Sequence, residues 1–310
     1  MSKDEDFSPV VNGRLTSKVK KKRGRLGTIL VVFATLLFVG AISAVIGGFL
    51  ILNHYGRGLP DFRALGDYEP PVVTRIHAGD GSLVTEYARQ QRLFVPFNVF
   101  PPKLVEAFLS AEDKNFFEHG GLDYMGIVRA MVTNVKNIGS NRRLVGASTI
   151  TQQVARNFLL TLDQRFERKI KEMILAIRIE RAFSKKEILE LYMNEIYLGS
   201  GAYGVAAASL NYFDKALDQL SLEEMAYLAA LPKGPTNYHP TRKKERAIAR
   251  RNWVIERMEV NGYIDSLEAI NAKKADLLTK KRIKPALFKA EYFVEEVRRE
   301  LYAIYGNTNL

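Results

Sequence analysis

Apolar residues in this chain follow three regimes. The first has no periodicity. Thr28 to Leu52 contains no charged residue and is apolar on every side. As a helix it would reach roughly 37 Å, enough to cross a bilayer with some tilt. Residues 53–100 are mixed: Gly, Pro and Asp turns surround short β-prone runs such as Val72–Ile76 and Arg92–Val95. This predicts a connector with two or three strands. From Pro102 to about Met258 the helical period dominates, and Lys-rich helical stretches then run from Asn261 to Leu310.

Within the helical region the boundaries are marked by specific residues. Pro102 stands in a first-turn position, and Leu104, Val105, Phe108 and Leu109 make one stripe behind it. His119-Gly120-Gly121 ends that segment. A loop richer in Asn, Gly, Ser and Arg, residues 137–145, is expected to be mobile. Thr149 and Gln152 then fit a capping box, with Ile150, Val154 and Phe158 along one face. Arg165 to Phe183 predicts a helix whose core face is Phe166, Ile170, Met173, Ile174 and Ile177. Ser184 and Glu187 form a second capping box, ahead of the face Leu189, Tyr192, Met193 and Ile196. That helix ends in the glycine turn Gly199 to Gly204. Pro232, Pro235 and Pro240 break up a further helix holding Glu224, Ala226 and Leu228.

Charge and composition narrow the reading. The chain has 310 residues, no cysteine and a formal net charge of +12. Disulfides, thiol nucleophiles and thiolate metal sites are excluded. The basic balance points to an anionic partner: nucleic acid, an anionic membrane or a phosphorylated substrate. Lys18, Lys20, Lys21, Lys22, Arg23 and Arg25 precede the apolar run, so the chain after Leu52 is expected outside the membrane. The run is too long and uniform for a buried core helix, and longer than the usual apolar region of a cleaved signal peptide. A basic domain outside the membrane argues against nucleic acid and favours the lipid surface.

Candidate chemistry sits on the helices. Glu112 projects from the apolar stripe of the Pro102 helix, where partial desolvation would raise its pKa and suit it to proton transfer. A rim carboxylate paired with a lysine is the plainer alternative. In Gly146–Asn157, Thr149, Gln153, Arg156 and Asn157 fall in one polar stripe, and a cap explains Thr149 and Gln152 but not the other three. Arg168, Lys171 and Glu172 lie together on the next helix, either as a surface ion pair with its neighbours or as a carboxylate among phosphate-binding cations. The glycine turn follows no strand and lacks the Lys-Ser/Thr of a phosphate-binding loop, so tight packing before Ala206–Ala208 is the preferred reading. No Ser/His/Asp constellation and no His-Glu-x-x-His motif is present. A carboxylate sharing a divalent cation with a phosphate substrate stays open.

Five segments, in order, resemble the peptidoglycan glycosyltransferase domain (glycosyltransferase family 51) of class A penicillin-binding proteins. They are Glu112–His119, Gly146–Asn157, Arg168–Glu172, Ile188–Asn194 with its glycine turn, and Glu224–Pro240. Arg156 stands where that family usually has Lys; the charge is kept on a broader, bidentate group. The resemblance implies a mainly α, lysozyme-like bilobal domain with a single N-terminal transmembrane helix and a small mixed α/β membrane-proximal part. It implies a basic cytoplasmic tail over 1–27, the span over 28–52, a connector over 53–100, the glycosyltransferase domain over 101–245, and a helical extension over 246–310. It also implies polymerisation of lipid II into β-1,4 glycan with inversion and release of polyprenyl pyrophosphate.

By the same resemblance, Glu112 is the base that deprotonates the acceptor hydroxyl. Glu172 helps position the acceptor or leaving group. Arg156, Arg168 and Lys171 face pyrophosphate. Thr149, Gln153 and Asn157 orient sugar and phosphate, and Asp113, Phe116 and His119 shape the cleft. No cofactor is required, with Mg or Mn beside the pyrophosphate as an option. The implied partners are lipid II, the growing glycan, inner-membrane lipids and other cell-wall synthesis proteins. The implied location is the bacterial inner membrane, single-pass, with the N-terminus cytoplasmic and the catalytic domain periplasmic or extracellular. Transpeptidase motifs are missing: Ser17-x-x-Lys20 falls in the tail, Ser209-Leu210-Asn211 in a helical segment, and no Lys-Thr-Gly occurs. Glu291–Leu301 resembles the linker to a transpeptidase domain, so a truncated bifunctional protein is expected first and a natural monofunctional enzyme second. A lysozyme-like hydrolase and a non-catalytic membrane scaffold are the rival functions.

Overall fold

The computed structural model describes residues 25–66, 74–77, 79–80, 83–87, 91–139, 145–160 and 165–280, and, near the end, 296–297, 299–301 and 303–304. The basic cluster Lys18–Arg23, positions 140–144 of the polar loop and most of the linker-like Glu291–Leu301 stretch lie outside the described residues. The chain divides into two compact units, 1–54 and 55–310.

The described residues of the first unit belong to one helix, α1 (Arg25–Gly56), whose last two residues fall in the second. Its portion Gly27–Gly56 is long and apolar enough to cross a membrane by length and composition, and none of that span is buried within the protein. Apolar side chains such as Phe33, Leu37 and Phe49 are exposed. A helix apolar all round has no solvent face, which suits a lipid environment.

The second unit is mainly α, as the periodicity predicts. β1 (Thr74–His77) and β2 (Leu83–Tyr87) pair antiparallel, with Thr74 opposite Tyr87. β3 (Gln91–Arg92) leads through a 3-10 turn at 97–99 into α2 (Pro102–Glu112), which has a proline in its first turn. Next come α3 (Tyr124–Lys136), α4 (Ile150–Leu159), α5 (Arg165–Ala182) and α6 (Lys185–Glu195). β4 (Tyr197–Gly199) and β5 (Ala202–Tyr203) form a hairpin that β3 joins in the order β3-β5-β4, with β3 parallel to β5. The chain continues through α7 (Val205–Phe213), α8 (Leu222–Ala230), α9 (Lys244–Val260) and α10 (Ser266–Lys274).

The core gathers around α2, which packs against α8 and α9, while α4 packs against α5 and α6. Leu104, Ala107 and Phe108 of α2 are fully buried with Ile150, Tyr192 and Leu228. Each large apolar side chain so placed contributes about 1.5–3 kcal/mol. Both predicted capping boxes form, Thr149 with Gln152 and Ser184 with Glu187. Gly204 opens α7 at φ +78° and ψ 156°, and a Cβ there would lie 2.4 Å from the Asn194 carbonyl oxygen. The glycine turn is therefore a close backbone approach, in line with the packing reading.

Three expectations are modified. The boundary expected at 245 falls inside the first turn of α9, which packs on α2 and α8, so α9 and α10 continue the same body. The apolar run Arg92–Val95 is strand only at its start. Beyond it the backbone is pinned by Asn194, whose Oδ1 accepts from Val95 N at 2.9 Å and whose Nδ2 donates to Val95 O at 2.8 Å.

The third change concerns α5, which turns a different face inward. Ile170 and Ile174 are buried as predicted, but their companions are Leu175, Ala176 and Ile179. Phe166 is 78% exposed, and Met173 and Ile177 are only half-buried. The helix carries apolar residues on two stripes, and contact with α4 and α6 selects the one that contains Glu172.

Candidate active site

The site is built where α2 ends. Its last residue, Glu112, follows the buried stripe Leu104, Phe108 and Leu109, and Asp113 caps the helix at φ −159° and ψ 77°, out of the helical conformation. The carboxylate is half-buried. Glu112 Oε2 accepts from Gln153 Nε2 at 2.9 Å, while Oε1 has no hydrogen-bond partner among the described residues. Burial pushes this carboxyl above its usual range. The Gln153 hydrogen bond and the charges of Arg250, Lys233 and Arg156 pull it partway back.

Asp113 fixes the neighbouring backbone. It is buried, and both its oxygens lie 3.0 Å from His119 Nε2. Asp113 Oδ2 also accepts from Ile150 N at 3.0 Å, the first residue of α4. His119 Nδ1 accepts from Gly121 N at 3.2 Å, so Nε2 carries the proton donated to Asp113. Phe116 is fully buried, edge-on to the His119 ring, with the Lys185 ammonium 4.3 Å from its centroid. These three residues tie the turn after α2 to the start of α4.

The predicted polar stripe separates into different environments. Thr149 is buried and spends its hydroxyl on the cap: it accepts from Gln152 N at 3.2 Å and donates to Gly121 O at 2.7 Å. Gln153 is buried and aimed at Glu112. Arg156 is half-buried, with its charge acting on Glu112 and its Nε 3.3 Å from Asn157 Oδ1. Asn157 is exposed.

On α5, Glu172 is only 3% exposed, because the inward stripe passes through it. Lys169 Nζ donates to Glu172 Oε2 at 2.8 Å and to Ser148 Oγ at 2.7 Å, while Arg168 Nε stands 3.4 Å from Glu172 Oε1. Lys171 instead pairs with Glu167 at 2.6 Å. A cleft of about 200 Å³ runs between the end of α2, α3 and the segment before α4, lined among others by Glu112, Lys114, Asp123, Arg129, Thr133 and Ser148. The structure thus brings Glu112 and Asp113 to one cleft and links Glu172 to its wall through Lys169 and Ser148.

Several residues escaped sequence reasoning. Lys169 sits three positions before Glu172, a helical spacing as good as that of Arg168, and was readable on that ground. Lys233 and Arg250 come from far along the chain and carried no local signal. Arg250 lies over the Trp253 ring at 3.9 Å; burial lowers its pKa and the Glu112 charge opposes that. Tyr192, read as an apolar core residue, places its hydroxyl near Glu112, Arg156 and Asp113.

A family model described as Transglycosylase matches residues 80–259. The chain is 49% identical over 271 residues to penicillin-binding protein 1A of Rickettsia felis, covering 87% of this chain and 34% of that protein. It is 41% identical over 280 residues to penicillin-binding protein 1A of Escherichia coli, covering 90% and 32%. A crystal structure of penicillin-binding protein 1A from Haemophilus influenzae is 29% identical, with a TM-score of 0.48, over 78% of this chain and 26% of that one. The chain spans about a third of the length of the curated relatives it matches.

Proposed function

The chain belongs to the transglycosylase family, and from that premise we propose that its helical unit polymerises lipid II into β-1,4-linked glycan with Glu112 as general base. The observation that carries the reading is the state of that carboxylate. It is enclosed enough to hold a proton more readily than an ordinary glutamate, anchored through one oxygen by Gln153, and without a partner on the other among the described residues.

The acceptor's 4-hydroxyl gives its proton to Glu112 Oε1. Its oxygen forms a bond to the anomeric carbon of the donor glycan. The bond from that carbon to the pyrophosphate oxygen breaks, and the electron pair leaves on pyrophosphate. Attack opposite the leaving group converts an α-linked donor into a β-linked product. Departure of pyrophosphate needs positive charge more than a strong acid, and Arg156, Arg168 and Lys169 supply it. Glu172 keeps Arg168 and Lys169 gathered, while Lys171, held by Glu167, is the less direct phosphate contact. Gln153 orients the base. Thr149, Asp113, Phe116 and His119 hold the backbone that presents it, and Asn157 faces solvent where a sugar can reach it. Among the described residues no three His, Asp or Glu side chains group to hold a metal ion. A divalent cation would enter with the substrate's phosphates.

The setting is a membrane surface. α1 crosses the inner membrane with the N-terminal basic segment inside and the catalytic unit outside, so added protease should digest that unit in spheroplasts. α3 leaves Tyr124, Met125, Val128, Met131, Val132 and Val135 exposed, a face suited to contact with lipid.

The test is incubation of the purified chain with lipid II. Glycan polymer should accumulate, and Glu112→Gln should slow it by about 10²–10⁴-fold, or roughly 3–5 kcal/mol of barrier. Fragments from preformed glycan would identify a hydrolase instead. Absence of both activities in the folded parent chain would leave a scaffold, and polymerisation that persists in Glu112→Gln would reject Glu112 as the base.

A further inference from the structure

The apolar stripe of α6 contains one residue with a polar tip. Tyr192 is 1% exposed, and its ring packs edge-on against Phe108, one turn before Glu112, with centroids 6.1 Å apart at 78°. Its hydroxyl has no hydrogen-bond partner among the described residues. Phenylalanine would fill the same space without leaving a buried polar atom unmatched, so the oxygen calls for a use.

The groups acting on that hydroxyl are Glu112, Arg156 and Asp113. Arg156 offers only donors. Both Asp113 oxygens are already engaged by His119, and one of them also by Ile150 N. Glu112 Oε2 is taken by Gln153, which leaves Glu112 Oε1 as the acceptor without a partner. The two groups do not touch directly, and a single water can join a buried donor to a nearby carboxylate at little loss.

We propose that Tyr192 is a positioning residue whose hydroxyl, through one bridging water, holds Glu112 Oε1 in the orientation that receives the acceptor's proton. The inference rests on Glu112 being the base. Tyr192 keeps its own proton throughout. The water it holds donates to one lone pair of Oε1 and leaves the other for the incoming hydroxyl. Donation to a carboxylate favours its charged form, so Tyr192 also keeps the base available at lower pH than it would otherwise be.

Tyr192→Phe removes one buried oxygen and nothing else. The experiment is the pH–rate profile of lipid II polymerisation by the full chain, with the thermal midpoint of the same preparation and Glu112→Gln in parallel. The acidic limb should move to higher pH by about half a unit, seen as an about threefold lower rate on that limb and convergence with the parent at alkaline pH. The thermal midpoint should equal or exceed the parent's. A profile that coincides with the parent's, or a loss by the same factor at every pH, overturns the proposal. If Glu112→Gln remains active, the base assignment fails and takes this role of Tyr192 with it. If Glu112→Gln is dead while Tyr192→Phe keeps the parental profile, Tyr192 alone is refuted.

Discussion

Removing the Asp113 carboxylate should cost stability far out of proportion to one side chain. In Asp113→Ala two buried donors lose their acceptor, His119 Nε2 and the Ile150 amide. Each orphaned donor costs about 1–3 kcal/mol, so about 2–6 kcal/mol is at stake. A carboxylate at the start of α4 also adds a favourable interaction with the helix dipole of about 0.3–1 kcal/mol. For a domain of this size, 1 kcal/mol moves the thermal midpoint by about 2–4 °C, which puts the expected fall at roughly 5–28 °C. Asp113→Asn keeps one acceptor and should fall about half as far. The assay is the thermal midpoint of the detergent-solubilised chain, followed by tryptophan fluorescence from Trp253. Polymerisation should fall with it, because the clamp sets where Gln153 meets Glu112. A shift under about 2 °C for the alanine variant would place Asp113 among surface ion-pair residues and refute the clamp.

Other outcomes follow from the same geometry. Gln153→Met removes the donor on Glu112 Oε2. A hydrogen bond to a charged group is worth about 1.5–3 kcal/mol, so the acidic limb of the pH–rate profile should rise by about 1–2 units; an unmoved limb would refute the contact's role. Glu112 binds its proton more tightly folded than unfolded, so its contribution to stability is present below the unfolded value and lost as pH rises through the folded one. Thermal midpoints of Glu112→Gln should therefore match the parent's in acid and exceed them at neutral pH. Lys169→Ala strips the closest cation from buried Glu172 and should cost about 1–3 kcal/mol in chemical denaturation. Lys171→Ala breaks a surface pair worth at most about 1 kcal/mol, and equal losses would undo the distinction. Gly204→Ala meets both a glycine-only conformation, of order 1–3 kcal/mol, and the Asn194 carbonyl. Soluble, parent-like expression of that variant would show that the turn can relax.

Legibility in the sequence followed the range of the interactions. The start of α2, its buried stripe and both capping boxes were readable because proline, helical spacing and the Ser/Thr-x-x-Glu/Gln pattern act within a turn or two. The face of α5 was not, because two apolar stripes compete on one helix and only the neighbours α4 and α6 decide between them. That rotation is what buries Glu172 and makes Lys169, rather than Lys171, its partner. β3 and β5 are two residues each, too short to show a period, and their parallel pairing joins positions 91–92 to 202–203. The placement of Glu112 was readable from Phe108 and Leu109, but the cations tuning it arrive from Lys233 and Arg250, and nothing local in the sequence announces them.

That last feature bears on how the protein is made. Glu112 leaves the ribosome long before Arg250 exists, and at about 5–20 residues per second the interval is on the order of ten seconds. During it α2 can form and cap, yet its terminal carboxylate lacks α8 and α9 to pack against and the positive charges that moderate it. A nascent chain thus carries Glu112 from early in synthesis without the charges and packing that set its proton affinity. The environment of that carboxylate is completed only when α9, made well over a hundred residues later, packs against α2.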